Sequence, residues 1–249
     1  MTISLIVPCY NEEINIQKGV LDRIGNFTHH DKRFIEVLIV DDGSSDNTKK
    51  LIKNEYLSEF PKFHLIENAH QGKAQALITG IKKTKGDIVM FTDIDLATPI
   101  EESKKMIEAL QNGFDIAIGS RNTHRAGAPI LRKLMAVGFI FIRNLMIGLK
   151  DIKDTQCGFK TFNRKAALHI LSKLKVFNNH QQSIKGSSVK AGFDLEFLFL
   201  ANKLGYKIKE IPVTWKHVET KNVNFLKDFF ETMKDILAMK YYDLTKKYD

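Results

Sequence analysis

The feature that most constrains this chain is an alternation in its first half: short runs of apolar and β-branched residues, separated by stretches with helical periodicity. Residues 3–10, 34–42, 63–68, 87–95 and 115–121 read as strands. Residues 13–27 and 73–83 read as helices, another is predicted to start at an N-cap Ser45 or Asp46, and Pro99 suits the first turn of a further one. This β-α-β-α order predicts an α/β fold with an open, mostly parallel central sheet and helices on both faces. Ligands of such sheets bind beyond the carboxyl ends of the strands. Tyr10-Asn11-Glu12, Asp41-Asp42-Gly43, Asp93-Ile94-Asp95 and Gly119-Ser120-Arg121 all fall at those ends, so they read as one shared site.

After Arg121 the pattern changes. Residues 122–129 form a polar stretch with Gly127 and Pro129, followed by a long apolar and basic helix at 130–149. Residues 154–163 read as a strand, 164–175 as a helix, 178–190 as a polar loop, 193–204 as a helix closed by Gly205, and 207–215 as a strand. The last 25 residues read as an amphipathic helix. With no internal repeat and no low-complexity linker, the 249 residues are expected to form one domain of two fused halves, 1–121 and 122–249.

A net charge of +9, from 38 basic and 29 acidic residues, favours an anionic partner: a nucleotide, a phospholipid surface or nucleic acid. No nucleic-acid motif accompanies the charge, and carboxylates at the strand ends would repel a phosphate backbone, so no nucleic acid is expected. Cys9 and Cys157 lie far apart without CxxC spacing. That suits a reducing cytoplasm, with a single disulfide left open. The start, MTISLIVPCYNEE, lacks a basic n-region and reads as a first strand, not a signal peptide. No stretch reaches the roughly 20 apolar residues of a transmembrane helix; the nearest, 131–149, is interrupted by Arg143.

Asp93 and Asp95 carry the strongest chemical signal. Residues i and i+2 of a strand share a side, so two carboxylates there suit a divalent cation, Mg²⁺ or Mn²⁺, bridging two phosphates. A solvated strand end or a helix cap is the plainer alternative. Asp41 and Asp42 suit a base or ribose, or simply the turn chemistry of Asp42-Gly43-Ser44-Ser45. Gly72-Lys73 opens a helix and so either favours phosphate or is an ordinary helix start, without a P-loop or a GxGxxG fingerprint. The eight histidines show no metal-binding spacing, and neither a Gly-x-Ser-x-Gly elbow nor a flanked cysteine supports covalent hydrolase chemistry.

Taken in order, VPCYNEE (7–13), VDDGSSDNT (40–48), GKAQAL (72–77), TDIDLATPIEE (92–102), IGSR (118–121), DTQCGFKTF (154–162), GFDLEFLFLA (192–201) and IPVTW (211–215) resemble the family 2 glycosyltransferases of GT-A fold. The resemblance covers nearly the whole chain and lies nearest the polyprenyl-phosphate sugar synthases of the dolichyl-phosphate β-glucosyltransferase type. It implies an inverting hexosyltransferase that moves glucose from the nucleotide sugar UDP-glucose to a dolichyl or undecaprenyl phosphate, with Mg²⁺ or Mn²⁺. It implies a nucleotide-sugar half at 1–121 and an acceptor and membrane half at 122–249. The related mannose synthases carry a metal-binding Gln two residues after the DxD, where this chain has Ala97; that departure favours UDP-glucose over GDP-mannose.

By the same resemblance Pro8, Tyr10, Glu12, Asp41, Asp42, Lys73, Asp93, Ile94 and Asp95 bind the nucleotide sugar, and Asp93 and Asp95 bind metal. Asp95, Arg121, Asp154 and Asp194 are the catalytic candidates, with Arg121 facing the donor or acceptor phosphate and Asp154 and Asp194 on the acceptor side. N-capping is the plainer reading of Asp194. The expected setting is cytoplasmic, peripheral at the inner face of a membrane. Arg132, Lys133, Arg143 and Lys150 of the long helix would meet lipid headgroups. The C-terminal helix, with Phe225, Phe229, Phe230, Met233 and Leu237, reads rather as core or as a homodimer face. Two rivals remain: a non-catalytic nucleotide-sugar binder at a membrane, and a transferase acting on a saccharide, whose QxxRW motif is absent here.

Overall fold

The structure is a computed structural model that describes residues 1–121, 138, 140, 142–179, 191–216 and 225–248. In chain order the elements are β1 (Ile3–Cys9), α1 (Glu13–Gln17), α2 (Val20–His30), β2 (Phe34–Asp41) and α3 (Thr48–Leu51). A π-helical turn, Ile52–Tyr56, joins α3 to α4 (Leu57–Glu59). Then come β3 (Phe63–Glu67), α5 (Lys73–Lys83), β4 (Ile88–Phe91), a 3-10 turn Ile100–Glu102 and α6 (Ser103–Gln111). The rest comprises β5 (Ile116–Arg121), β6 (Lys160–Asn163), α7 (Arg164–Lys173), α8 (Val176–Asn179), α9 (Ala191–Lys203), β7 (Ile208–Val213) and α10 (Phe225–Leu244).

The strands form one sheet in the order β3-β2-β1-β4-β6-β5-β7. Pairing is parallel throughout except at β6, which runs antiparallel to both β4 and β5. The expected α/β, mostly parallel architecture is borne out. Period-two alternation sends Leu5, Val7, Val37 and Ile39 to one layer of core with α2 and α6. Ile6, Leu38 and Val40 go to the other, with α5, α7, α9 and α10. Both faces are covered, so β1 is buried along its whole length, as parallel strands require. Each such Ile, Leu or Val contributes about 1.5–3 kcal/mol of burial.

The chain leaves β1 toward β2 and β3 on one side, then returns to place β4 on the other. Strand order reverses there, and a crevice opens beyond the carboxyl ends of β1 and β4.

Several boundaries differ from the sequence reading. The predicted helix 13–27 is two helices, broken where Gly19 takes φ 77°, a conformation open to glycine. The helix expected after Ser45 or Asp46 starts at Thr48, with Asp46 Oδ1 accepting the Thr48 N–H at 3.0 Å. Pro99 precedes the 3-10 turn instead of starting a helix. Of the strand expected at 154–163 only Lys160–Asn163 is extended. β4 ends at Phe91, so Asp93 and Asp95 lie on a turn beyond the strand and the shared-side argument does not apply to them.

The loop 122–129, most of the helix 130–149 with Arg132 and Lys133, and most of the loop 178–190 lie outside the described residues. Residues 142–147 are helical, and there Arg143 is a correction. It is 1% exposed, because its guanidinium is taken up by backbone carbonyls, so it does not meet lipid headgroups.

Candidate active site

The ends of β1 and β2 are tied together by backbone amides that would otherwise lack partners. Asp41 accepts from Gly43 N and Ser44 N, each at 3.1 Å. Asp42 accepts from Gln71 N at 3.0 Å and Gly72 N at 2.7 Å, and lies 2.8 Å from His70 Nδ1. Asn11 N donates to Ser44 Oγ at 2.9 Å and Glu12 N to Thr48 Oγ1 at 2.8 Å. His70, fixed by Asp42, stacks on Tyr10 with ring centroids 4.0 Å apart and planes 14° from parallel. The result is an aromatic pair beyond the end of β1, held by a hydrogen-bonded loop.

Charges converge beside that pair. Lys73, at the start of α5, forms a close ion pair with Asp93. Burial pulls its ammonium down, but the surrounding Asp93, Asp194 and Asp95 outweigh that and leave it above its ordinary value. Asp95 Oδ1 accepts from Ala97 N at 3.0 Å. Burial pushes the Asp95 carboxyl up, with neighbouring Asp93 adding to the rise.

Lys160 lies on β6 and is 1% exposed; its Nζ donates to Asp194 Oδ1 at 2.6 Å and to Cys157 O at 2.8 Å. Arg121, ending β5, grips Asp154 with Nε to Oδ2 at 2.7 Å and Nη2 to Oδ1 at 2.8 Å. Its guanidinium lies 5.9 Å from the Trp215 ring centroid. Burial raises the Asp154 carboxyl, but the hydrogen bonds and charge of Arg121 prevail and hold it below the usual carboxylate range. Gly158, on the segment that follows Asp154, packs directly against the Asp93 carboxylate, which ties both halves of the cluster into one site.

Lys73, Asp93, Asp95, Arg121, Asp154 and Asp194 are thus brought together. Asp194 lies in the first turn of α9, where its carboxylate accepts from Lys160 Nζ. Ile94 turns its side chain into the core at 4% exposure. Asp41 and Asp42, at 0% and 2% exposure, have carboxylates that accept hydrogen bonds from loop amides. Pro8 lies within β1 opposite Val40 and is buried. Glu12 accepts from Asn15 Nδ2 at 2.5 Å. Both cysteines are free and buried.

Sequence reasoning missed His70, Lys160, Gly158 and Trp215. A Cβ on Gly158 would lie 1.9 Å from Asp93 Oδ2, so only glycine lets that carboxylate take its place. The signal was present in CGFK and TWK, but the partners are remote in sequence.

Comparison with known proteins agrees with this geometry. Residues 4–171 match the sequence profile of Glycosyl transferase family 2. A dolichyl-phosphate beta-glucosyltransferase of Trichomonas vaginalis is 35% identical over 229 residues, 87% of this chain and 66% of that protein. Those of Dictyostelium discoideum and Homo sapiens are each 30% identical, over 96% and 98% of this chain and 74% and 76% of theirs. The chain therefore spans about two thirds to three quarters of these relatives' lengths. Among solved structures, glucosyl-3-phosphoglycerate synthase from Mycobacterium tuberculosis, in complex with Mn²⁺, UDP-glucose and phosphoglyceric acid, superposes with a TM-score of 0.69 at 18% identity. That alignment covers 96% of this chain and 79% of the synthase, and it shows the shared fold. The fold and site define a GT-A glycosyltransferase. The chain belongs to glycosyl transferase family 2.

Proposed function

We propose that this chain transfers glucose from UDP-glucose to a polyprenyl phosphate, such as dolichyl phosphate, with inversion at the anomeric carbon. The observation that carries the reading is the convergence, at the switch point of the sheet, of the Lys73–Asp93, Arg121–Asp154 and Lys160–Asp194 pairs, with Gly158 packed on Asp93 between them. The extended likeness to dolichyl-phosphate beta-glucosyltransferases supports the sugar and the lipid. Residues 1–121 form the donor half in this reading, and 122–249 the acceptor half.

A phosphate monoester is largely ionised at neutral pH (second pKa about 6), so the acceptor needs no strong general base. The work left to the protein is placing two anionic groups in line and neutralising them. Tyr10 and His70 form a wall for the nucleotide, and Lys73 faces the diphosphate. Asp154 orients Arg121 toward a phosphate, and Lys160 fixes Asp194 on the acceptor side.

Asp93 and Asp95 fit a divalent cation shared with the donor. Both offer hard oxygen ligands, and the upward shift of Asp95 by burial and by Asp93 is the strain a cation relieves. Among the described residues no three His, Cys, Asp or Glu side chains enclose a metal, so phosphate oxygens and water would complete the shell. When bound, Mg²⁺ or Mn²⁺ supplies positive charge for the leaving diphosphate.

A peripheral site at the cytoplasmic face of a membrane completes the proposal. No helix among the described residues is long and apolar enough to cross a membrane. However, Phe230, Leu237, Tyr241 and Leu244 form an exposed stripe on α10, at 68%, 56%, 57% and 71%. Lys234 and Lys240 flank that stripe at helical spacing, an interfacial pattern. Asp95→Ala tests the centre of the proposal: metal-dependent transfer falls by about 10²-fold or more with the melting temperature retained. Near-normal transfer would sink the DxD assignment.

A further inference from the structure

Resting on Arg121 as the phosphate-facing cation, we infer that Arg143 and Glu210 are positioning residues for it, clamping the segment 149–154 from opposite sides. Arg143 is among the largest fully buried side chains of the molecule. Its Nη2 donates to Ile152 O in a short bond and to Leu149 O at 3.4 Å, and Nη1 donates to Lys153 O at 3.5 Å. Asn144 Oδ1 receives Nη2 at 2.8 Å and Nε at 3.1 Å. No carboxylate touches the guanidinium among these contacts. A buried charge so placed costs stability, and what it holds is the carbonyl side of a single loop.

The amide side of that loop belongs to Glu210. Its carboxylate accepts Asp154 N at 2.7 Å and Lys153 N at 3.0 and 3.1 Å. Burial pulls the Arg143 guanidinium down, and the fields of Glu210 and Asp154 oppose that. The loop is therefore held between opposite charges, and its last residue is Asp154.

Asp154 in turn accepts from Arg121 N at 3.1 Å as well as from the guanidinium. Strand register supports the relay, since Glu210 pairs with Ile118 on β7 and β5, three residues before Arg121. A shift of 149–154 moves the Asp154 carboxylate, and the Arg121 fork moves with it. Misplacing a reacting group by about 1 Å costs on the order of 10²-fold in rate.

The test is a double-mutant cycle on the full chain with UDP-glucose and a short polyprenyl phosphate, comparing Glu210→Ala, Arg121→Ala and the pair. Glu210 is partly exposed, so its truncation leaves the fold in place, which thermal melts verify. Glu210→Ala is expected to lower kcat/KM by about tenfold or more. It also alters the fluorescence of Trp215, the chain's one tryptophan, as Arg121 moves against its ring. Added to Arg121→Ala, it costs nothing further, because it acts through Arg121.

Arg143→Lys, which keeps the charge but not the fork, gives the same loss in kcat/KM. Wild-type kinetics for Glu210→Ala, or losses that multiply in the double variant, overturn the relay. Wild-type kinetics for Arg121→Ala alone would remove the reading of Arg121 beneath it.

Discussion

Gly158→Ala puts the geometry of the acidic turn under direct strain. The added Cβ would lie 1.9 Å from Asp93 Oδ2, 2.4 Å from Cγ and 2.7 Å from Oδ1, against a floor of 3.0 Å that real Cβ contacts respect. Asp93 must therefore retreat by about 1 Å, a displacement that costs on the order of 10²-fold in rate. Gly158 is not at a positive φ, so the alanine acts through its volume and not through its backbone. The Asp93 side chain is 37% exposed and has solvent to swing into. Its half-exposed pair with Lys73 contributes only about 0–1 kcal/mol to stability. Initial rates of glucosyl transfer at saturating divalent cation should fall by about 10²-fold, or about 2.7 kcal/mol in the barrier, while the melting temperature moves by only a few degrees. A variant within about threefold of wild type would show that Asp93 need not stand where the structure places it, and the reasoning from Gly158 would fail.

Three further outcomes follow from other contacts. Asp154→Asn should destabilise the chain near neutral pH by about 1–3 kcal/mol, the worth of hydrogen bonds to a charged partner. Because the folded carboxyl is held below its ordinary range, that stability is present above the unfolded value and is lost as pH falls through the folded one. Melts from neutral to acid pH should therefore converge for wild type and variant, and a constant gap would refute the pairing. Among the described residues, Tyr248→Phe removes one of four donors to the buried Glu196, which also accepts from Lys175, Val176 and Phe177 N–H. The melting temperature should drop by about 3–10 °C, and an unchanged melt would show the bond to be idle. Leu237→Glu, in the exposed stripe of α10, should weaken flotation with anionic liposomes without changing the fold; equal flotation would move the membrane face elsewhere.

What the sequence made legible follows from how local its signals are. Buried parallel strands are runs of Val, Ile and Leu, so β1, β2 and the α5 boundaries could be read directly. The polar residues ending those strands marked the crevice. The same rule overextended β4, since DIVMFTDID continues its alternation past the point where the chain turns, and only the packing of Ile94 and Leu96 into the core reveals the turn. Arg143 was misread for a related reason: an arginine amid apolar residues looks like an interfacial helix until the carbonyls of 149–153 are seen to surround it. Lys160 and Gly158 stood in a quoted motif, but their roles could not be read because their partners, Asp194 and Asp93, are 34 and 65 residues distant. A carboxylate pair at a strand end, such as Asp41 and Asp42, reads the same in sequence whether it meets a ligand or the N–H groups of a neighbouring loop, and only the structure shows the loop amides.

The central claim is glucosyl transfer to a phosphorylated lipid. Its most direct test incubates the wild-type chain with UDP-glucose or GDP-mannose, Mg²⁺ or Mn²⁺, and polyprenyl phosphate or phosphoglycerate, and reads the products by mass spectrometry. A hexosylated polyprenyl phosphate formed from UDP-glucose, and lost on metal chelation, is the predicted result. No lipid product from either donor, or hexose appearing only on phosphoglycerate, would contradict it.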